Sequence, residues 1–276
     1  MRTITLTLAY DGSAYQGWQR QDHGASVQAL VEAALARLEG APVTVIGAGR
    51  TDAGVHALGQ VARARLTVSQ DTATIQRALN AILPPDVRVL RVDEAADGFH
   101  PRFDARSKTY QYWMWDAGVL QPSVRAWCWH VPRRLDVAAM DRSARALVGR
   151  HDFAAFQSTG GGAKTSTRTV LRAGVSAIAC GLDAGDPVRA RLAPAEGRFV
   201  VVEIEADGFL RHMVRAIVGT LVEIGDGRRA EAAMTALLAG KDRGATGATA
   251  PSHGLVLVRV AYESEHAADA APGPPR

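Results

Sequence analysis

The stretch "GAGRTDAGVHALGQVA", from Gly47 to Ala62, connects two segments whose residues are typical of β-strands. "PVTVIG" leads into it, and "VHALGQVARARLTV" continues from it with β-branched and apolar residues. Glycines at positions 47, 49 and 54 permit a tight turn between the two segments. Strands that are joined directly by a short turn pair as a hairpin, so the stretch predicts a largely antiparallel sheet.

The segments around this hairpin predict a β-α-β-β-α-β order. Residues 3–10 alternate between polar and apolar side chains, which indicates a strand with one buried face. Ser26 is predicted to cap a helix that Gly40 ends. "TATIQRALNAIL" follows as a second helix and "DVRVLRVDEA" as a fourth strand.

The second half of the chain has a similar order of elements. The predicted strands are "SKTYQYWMW", "RAWCWHV", "TRTVLRAGVSAIAC", "RFVVVEIEADG" and "GLVLVRVAYE", and the predicted helices are "DVAAMDRSARALVG", "FLRHMVRAIVGTLVEIG" and "AEAAMTALLAG". Grouped strands with interspersed helices predict an α+β fold, with helices on one face of a largely antiparallel sheet. We expect one domain over residues 1–105, a second over 106–264, and a disordered Pro/Gly/Ala-rich tail over 265–276.

Composition narrows the class of protein. The chain has 276 residues, 47% of them apolar, which allows a sizeable core, and no apolar run is long enough to span a bilayer. The first predicted strand begins without a signal peptide ahead of it. Cys128, Cys180 and the histidines show no metal or redox spacing, so we expect a reduced cytoplasmic protein without metal or cofactor.

The charge of the chain has two explanations. A formal net charge of +4 and a pI of about 9.4 suit a polyanionic partner such as nucleic acid. However, lysine occurs only at positions 108, 164 and 241, and alanine and arginine are abundant. A coding bias towards alanine and arginine gives the same numbers, so the charge alone does not decide the partner.

Asp52 is the candidate for chemistry in the glycine-rich stretch. If residues 50–52 are extended, Arg50 and Asp52 project to the same side, and the guanidinium favours an ionised carboxylate. Such a carboxylate can act as a nucleophile, a base or a metal ligand. The alternative is ordinary turn chemistry with a surface ion pair. The residues alone leave both interpretations open.

Motifs along most of the chain resemble those of the tRNA pseudouridine synthase A family. "GAGRTDAGVHA" is similar to the family's signature, an Arg-Thr-Asp flanked by glycines and followed by Gly-Val-His-Ala. "YDGSAYQGWQRQ", "FHPRFDARSKTYQY", "FLRHMVRAIVGTLVEIG" and "HGLVLVRVAY" resemble further segments of the family in the same order. The resemblance covers residues 2–263 and leaves the tail unexplained.

The resemblance implies roles for five residues. Asp52 corresponds to the catalytic aspartate, and Arg50 to its ion-pair partner, which takes the space of a nucleotide that has left the helix. Tyr110 corresponds to the tyrosine that stacks on the target uracil. Arg215 corresponds to a basic residue near the aspartate, and Leu255 to an apolar residue against the base.

The resemblance also implies a fold and a reaction. The fold is two ferredoxin-like halves joined around a central RNA-binding cleft. The reaction is the isomerisation of uridines 38, 39 and/or 40 in the tRNA anticodon stem-loop to pseudouridine. It requires nucleotide flipping and no cofactor, and the implied assembly is a homodimer with tRNA across both subunits.

The residues themselves agree with the resemblance in part. Tyr110 and Tyr112 share one face of a predicted strand beside Lys108, which suits base stacking next to phosphate, although a half-buried strand tyrosine explains the same pattern. Arg211 and Arg215 are four residues apart on the long predicted helix and form a basic face. A basic face of this kind fits either the wall of an RNA-binding groove or an ordinary helix face exposed to solvent.

The sequence leaves two rival classes of protein open, and one of its motifs is misleading. A non-catalytic RNA-binding protein with the same fold is the first rival, and a nucleotide-binding enzyme that uses the glycine-rich loops is the second. "STGGGAKTS" resembles a phosphate-binding loop but has Ala163 where that motif needs glycine. We therefore predict a mobile basic loop over residues 157–168, with an RNA contact or no function as open alternatives.

Overall fold

The computed structural model describes residues 1–158, 160, 164–179, 197–240 and 242–263. Their contacts divide them into two compact units. Unit 1 contains Met1–Lys108 and the described residues from Leu257 onward, and unit 2 contains the described residues between Thr109 and Val256. The predicted tail over residues 265–276 and Cys180 lie outside the described residues.

The strands of unit 1 follow the order β4-β1-β3-β10, and β1 is antiparallel to both β3 and β4. The bounds are Arg2–Tyr10 for β1, Ile46–Gly47 for β2, His56–Leu66 for β3, Val87–Ala95 for β4 and Leu255–Ala261 for β10, whose first two residues are counted with unit 2. The short β2 pairs with β3 in the predicted hairpin. Along β1 the side chains of Ile4, Leu6 and Leu8 are fully buried, as the alternation of residues 3–10 predicts.

Two helices cover the core of unit 1. Helix α1 spans Val27–Glu39 and buries Val27, Val31 and Leu35, and helix α2 spans Thr72–Ile82 and buries Ile75 and Leu79. Burial of such a side chain stabilises the fold by about 1.5–3 kcal/mol, so these residues dominate the energetics of this layer.

Helix α1 begins and ends at the residues that the sequence predicts, but only its C-terminal end is capped in the predicted way. Gly40 ends α1 in a left-handed conformation with φ of 75°. Ser26 lies at the N-cap, but its hydroxyl makes no capping hydrogen bond. That hydroxyl is buried and lacks a partner among the described residues, so the predicted side-chain cap is wrong.

Unit 2 repeats the combination of antiparallel strands and helices. Its strand order is β5-β9-β8-β7, and β6 pairs with β5 in parallel. The strands are β5 Ser107–Trp115, β6 Trp129–His130, β7 Gly149–Asp152, β8 Thr167–Ala179 and β9 Arg198–Ala206, and the helices are α3 Val137–Arg145, α4 Met213–Gly225 and α5 Ala233–Gly240. The described residues therefore form a mixed α+β fold with largely antiparallel strands, as predicted.

Two predicted strands are much shorter than their patterns indicated. Only Ile46 and Gly47 of "PVTVIG" pair in the sheet. The reason is that side chains of α1 replace sheet partners upstream: Val45 donates its N–H to Glu32 Oε1 at 3.1 Å, and its carbonyl accepts from Gln28 Nε2 at 2.9 Å. These bonds satisfy the backbone without a neighbouring strand.

The segment "RAWCWHV" is the second shortened strand. A 3₁₀ turn over Pro122–Val124 precedes it, and Trp127 N donates to Val124 O at 2.9 Å. The chain therefore continues to turn until β6 begins at Trp129. Cys128 lies buried in this turn, and burial raises the pKa of its thiol to about 11.

The long helix of unit 2 begins later than predicted. His212 has φ of 61° and is the only described residue other than glycine with positive φ. This left-handed conformation interrupts the helical run, so α4 begins at Met213 and Arg211 precedes it. The predicted helical face of Arg211 and Arg215 is therefore wrong, because the first of the two lies outside the helix.

Candidate active site

Asp52 lies in the connection between β2 and β3, as the sequence predicted. Its side chain is half-buried, and its carbonyl accepts a hydrogen bond from Val55 N at 3.1 Å. Gly54, with φ of 75°, supplies the left-handed residue of this turn. We call residues 48–55 the Asp52 loop.

The segment after β1 holds the Asp52 loop through backbone contacts. Trp18 N donates to Thr51 O at 3.1 Å, and Gly54 N donates to Tyr15 O at 3.2 Å. At Gly17, which has φ of 93°, an added Cβ would lie 2.9 Å from the Asp52 carbonyl carbon. The backbones approach so closely that any side chain at position 17 would displace the loop.

A buried hydrogen-bond network supports the same loop from β1 and β3. A 2.9 Å hydrogen bond joins the Tyr10 hydroxyl to Thr51 Oγ1. Gln60 Nε2 donates to Gly49 O at 3.0 Å. Burial raises the pKa of Tyr10 to about 12, against the smaller lowering effect of its hydrogen bonds, so the hydroxyl stays protonated at neutral pH. The network fixes the residue immediately before Asp52 in the chain.

Arg50 and Asp52 lie in the irregular connection between β2 and β3, outside the bounds of both strands. Arg50 is exposed, and the ion pairs between described residues do not include it. Lys108 contacts the loop, because its Nζ donates to Ala48 O at 2.7 Å. No pattern of residue types indicates this contact.

Tyr110 lies in unit 2, on β5, as predicted. Its ring is 8% exposed and packs edge-to-face on Phe209, with the ring centroids 5.0 Å apart. Tyr112, two residues along the same face, is fully buried, and burial raises its pKa. Its hydroxyl donates to Pro251 O at 2.8 Å. Both tyrosines are therefore fixed in orientation within unit 2.

Arg215 contacts the beginning of a short connection in unit 2, and Leu255 ends that connection. Arg215, in the first turn of α4, donates from Nε to Ala250 O at 2.7 Å and accepts from Ala250 N at 3.1 Å. A 3₁₀ turn over Ser252–Gly254 follows, and Leu255, which is 6% exposed, begins β10. We call residues 250–255 the Leu255 segment. Arg215 and Tyr112 hold this segment through its carbonyls.

A cluster of polar side chains lies next to the beginning of α4. A 2.8 Å hydrogen bond joins Ser158 Oγ to His212 Nδ1, and Arg243 Nη2 donates to the same Ser158 Oγ at 2.8 Å. Ser158 N also donates to Arg211 O at 3.1 Å. This cluster anchors the start of the Gly-rich loop to the residues that precede α4, while residues 159 and 161–163 of that loop lie outside the described residues. No spacing in the sequence indicates it.

Among the described residues, no group of three or more His, Cys, Asp or Glu side chains could hold a metal ion. In the same part of the chain, each helix is too short or too polar to cross a membrane.

The sequence model of a family described as tRNA pseudouridine synthase matches residues 7–104 and 143–263 of this chain. The tRNA pseudouridine synthase A of Moorella thermoacetica is 43% identical over 268 residues, which cover 95% of this chain and 100% of the relative. The proteins of the same name from Syntrophotalea carbinolica and Geotalea uraniireducens are 41% and 40% identical over 262 residues, and each match covers 95% of this chain.

These matches and the α+β fold define the class of the protein, which is an RNA-modifying isomerase. More particularly, the chain belongs to the tRNA pseudouridine synthase family, whose reaction converts uridine in tRNA to pseudouridine.

Proposed function

We propose that this protein isomerises uridines 38, 39 and/or 40 in the tRNA anticodon stem-loop, with Asp52 as the catalytic nucleophile. The observation that supports this most is the way in which the Asp52 loop is held. Backbone bonds from Tyr15 and Trp18 fix it on one side, and the Tyr10–Thr51 bond fixes it from the core. A carboxylate presented on such a rigid support is suited to catalysis, because a reacting group must be held in one geometry.

The chemistry needs one well-placed carboxylate and no redox partner. The bond between uracil N1 and ribose C1′ breaks, a bond between uracil C5 and C1′ forms, and the proton at C5 is lost while N1 gains one. The oxidation level of the base does not change, so the reaction requires no cofactor. Asp52 can act by attack at C1′, by attack on the uracil ring, or by removal of a sugar proton, and each route uses the same side chain.

The other site residues are proposed to handle the flipped nucleotide. A base inside a stem is inaccessible, so it must leave the stack before reaction. We assign Arg50 to the space that the nucleotide leaves, Tyr110 to stacking on the uracil, and Arg215 and Leu255 to substrate binding. The edge-to-face contact with Phe209 supports the role of Tyr110, because it restrains the ring that would stack.

The proposed partner is tRNA, bound by a homodimer in the cytoplasm. The exposed Arg50 guanidinium supports a polyanionic partner, because it is not engaged in the ion pairs between described residues. Full activity in a species with the sedimentation mass of one subunit would contradict the homodimer.

The experiment that tests the proposed positions is pseudouridine mapping in tRNA from a strain that lacks this gene. Restoring the wild-type gene should restore pseudouridine at positions 38, 39 or 40, and restoring Asp52→Ala at equal expression should not. A strain that keeps these pseudouridines without the gene would refute the positions. Restoration by Asp52→Ala would instead favour a non-catalytic RNA-binding role.

A further inference from the structure

The chain turns sharply between β4 and β5, and hydrogen bonds fix this turn. We call residues 99–104 the aromatic turn. His100 O accepts from Phe103 N at 3.2 Å and from Asp104 N at 3.0 Å, and His100 N donates to Asp104 Oδ2 at 2.9 Å. Tyr262 OH donates to Pro101 O at 2.8 Å. Unit 1 therefore holds the aromatic turn in one conformation.

Phe103 points from this rigid turn into solvent. It is 73% exposed, and the next most exposed of the phenylalanine, tryptophan and tyrosine side chains, all of which are described, is Trp127 at 38%. The hydrogen bonds of the aromatic turn fix the backbone that carries this ring. Exposure of so much apolar surface is unfavourable, and a partner that covers the ring would remove that cost.

The neighbours of Phe103 indicate what kind of partner fits. The His100 ring lies 4.3 Å from the Phe103 ring, centroid to centroid, with an angle of 35° between the planes. The Arg102 guanidinium carbon lies 5.8 Å from the same centroid. An exposed aromatic ring with a cation over it matches a nucleotide, because a base can stack on the ring while its phosphate meets the guanidinium.

We propose that the aromatic turn is a stacking site for an unpaired nucleotide of the tRNA, with Phe103 against the base and Arg102 against a phosphate. The inference rests on the tRNA substrate given above and adds a binding site to it. A second copy of the chain is the weaker candidate occupant. Phe103 is the only large exposed hydrophobic residue between residues 96 and 108, whereas an interface between copies needs a broad apolar area.

The test measures the affinity of the full-length protein for fluorescently labelled, unmodified tRNA at several KCl concentrations. Phe103→Leu keeps an apolar side chain but removes the ring, and it should weaken binding at least about fivefold, because stacking on one aromatic residue contributes about 1–3 kcal/mol per base. Phe103→Trp should restore wild-type affinity. Arg102→Ala should reduce the slope of log Kd against log salt by about one, whereas Phe103→Leu should leave that slope unchanged.

Leu90→Ala is the control, because Leu90 is also a large exposed apolar side chain of unit 1, 50% exposed, and carries no aromatic ring. Its tRNA affinity should equal that of the wild type. Wild-type affinity in Phe103→Leu would overturn the proposal, and so would an equal loss in Leu90→Ala. A change in sedimentation mass accompanying the loss in Phe103→Leu would also overturn it, in favour of an interface between copies. Failure of the wild-type protein itself to bind tRNA would instead refute the proposed function.

Discussion

The Asp52 loop and the Leu255 segment are both irregular connections that lead into a strand, but they are held in different ways. Backbone approach at Gly17 and a buried hydroxyl network hold the Asp52 loop. Two side chains, Arg215 and Tyr112, hold the Leu255 segment through its carbonyls. The first arrangement restrains a potential catalytic group closely, whereas the second mainly fastens one element to its neighbours.

The largest effect among the supporting residues is expected at Gly17. In Gly17→Ala, the new methyl group would meet the Thr51 carbonyl oxygen, and a φ of 93° is unfavourable for alanine. We expect unfolding to become easier by about 1–3 kcal/mol, and kcat to fall about a hundredfold as Asp52 is displaced. Gly98→Ala is the control, because its Cβ would meet nothing within 4 Å. Chemical denaturation and single-turnover kinetics measure the two quantities, and equal behaviour of both variants would show that the close approach is unimportant.

Tyr10→Phe tests the network beneath the Asp52 loop. It removes the bond to Thr51 Oγ1 and leaves that hydroxyl buried, so it should cost about 1–2 kcal/mol of stability and lower kcat about tenfold without changing tRNA affinity. Tyr15→Phe is the matched control, because it also loses one hydrogen bond, from its hydroxyl to Asp86 Oδ1 at 2.7 Å. If Tyr15→Phe lowers kcat equally, the network has no specific role in positioning.

Tyr112→Phe gives the corresponding test for the Leu255 segment. It removes the bond to Pro251 O and should cost about 1 kcal/mol of stability, while the Arg215–Ala250 bonds keep the segment in place. We therefore expect kcat to remain unchanged in the same single-turnover assay. A fall in kcat as large as that of Tyr10→Phe would remove the distinction between the two regions.

The smallest effect is a change in alkaline stability that depends on Tyr10. Its pKa is about 12 in the folded protein and 10.0 when unperturbed, so between these values the unfolded chain releases a proton that the folded chain retains. Stability therefore falls as pH rises through this range. Free energies of unfolding measured from pH 9 upward should fall less steeply in Tyr10→Phe than in the wild type. If the unfolding free energies of the two proteins fall equally steeply with pH, the Tyr10 hydroxyl is not buried and protonated in the way described.

Local patterns predicted the elements of the fold well but not the hydrogen bonds that hold the site. The alternation in β1 and the glycines beside Asp52 are visible in the sequence because strand burial and tight turns restrict residue types directly. The shortened β2 was not predictable, because Glu32 and Gln28 on α1 replace its sheet partners only after folding. The motif resemblance predicted the family, which the comparisons confirm.

Hydrogen bonds from side chains to backbone carbonyls also cannot be predicted from the sequence. Any donor of suitable length can bind a carbonyl, so Arg215 to Ala250 and Lys108 to Ala48 leave no pattern of residue types. The left-handed His212 is likewise imposed by its surroundings, because its residue type does not require that conformation. Motifs can therefore identify candidate residues of such a site, while the contacts that orient them require the structure.

The carboxylate of Asp52 is proposed to perform the isomerisation. The most direct measurement is the release of tritium from tRNA labelled at uracil C5, under single-turnover conditions with enzyme in excess. Asp52→Asn should bind tRNA like the wild type and release tritium at least about a thousandfold more slowly, as expected when a nucleophile is removed. Asp93→Asn, a change on β4 outside the loop, should retain the wild-type rate. Tritium release by Asp52→Asn at a rate near that of the wild type would contradict the account.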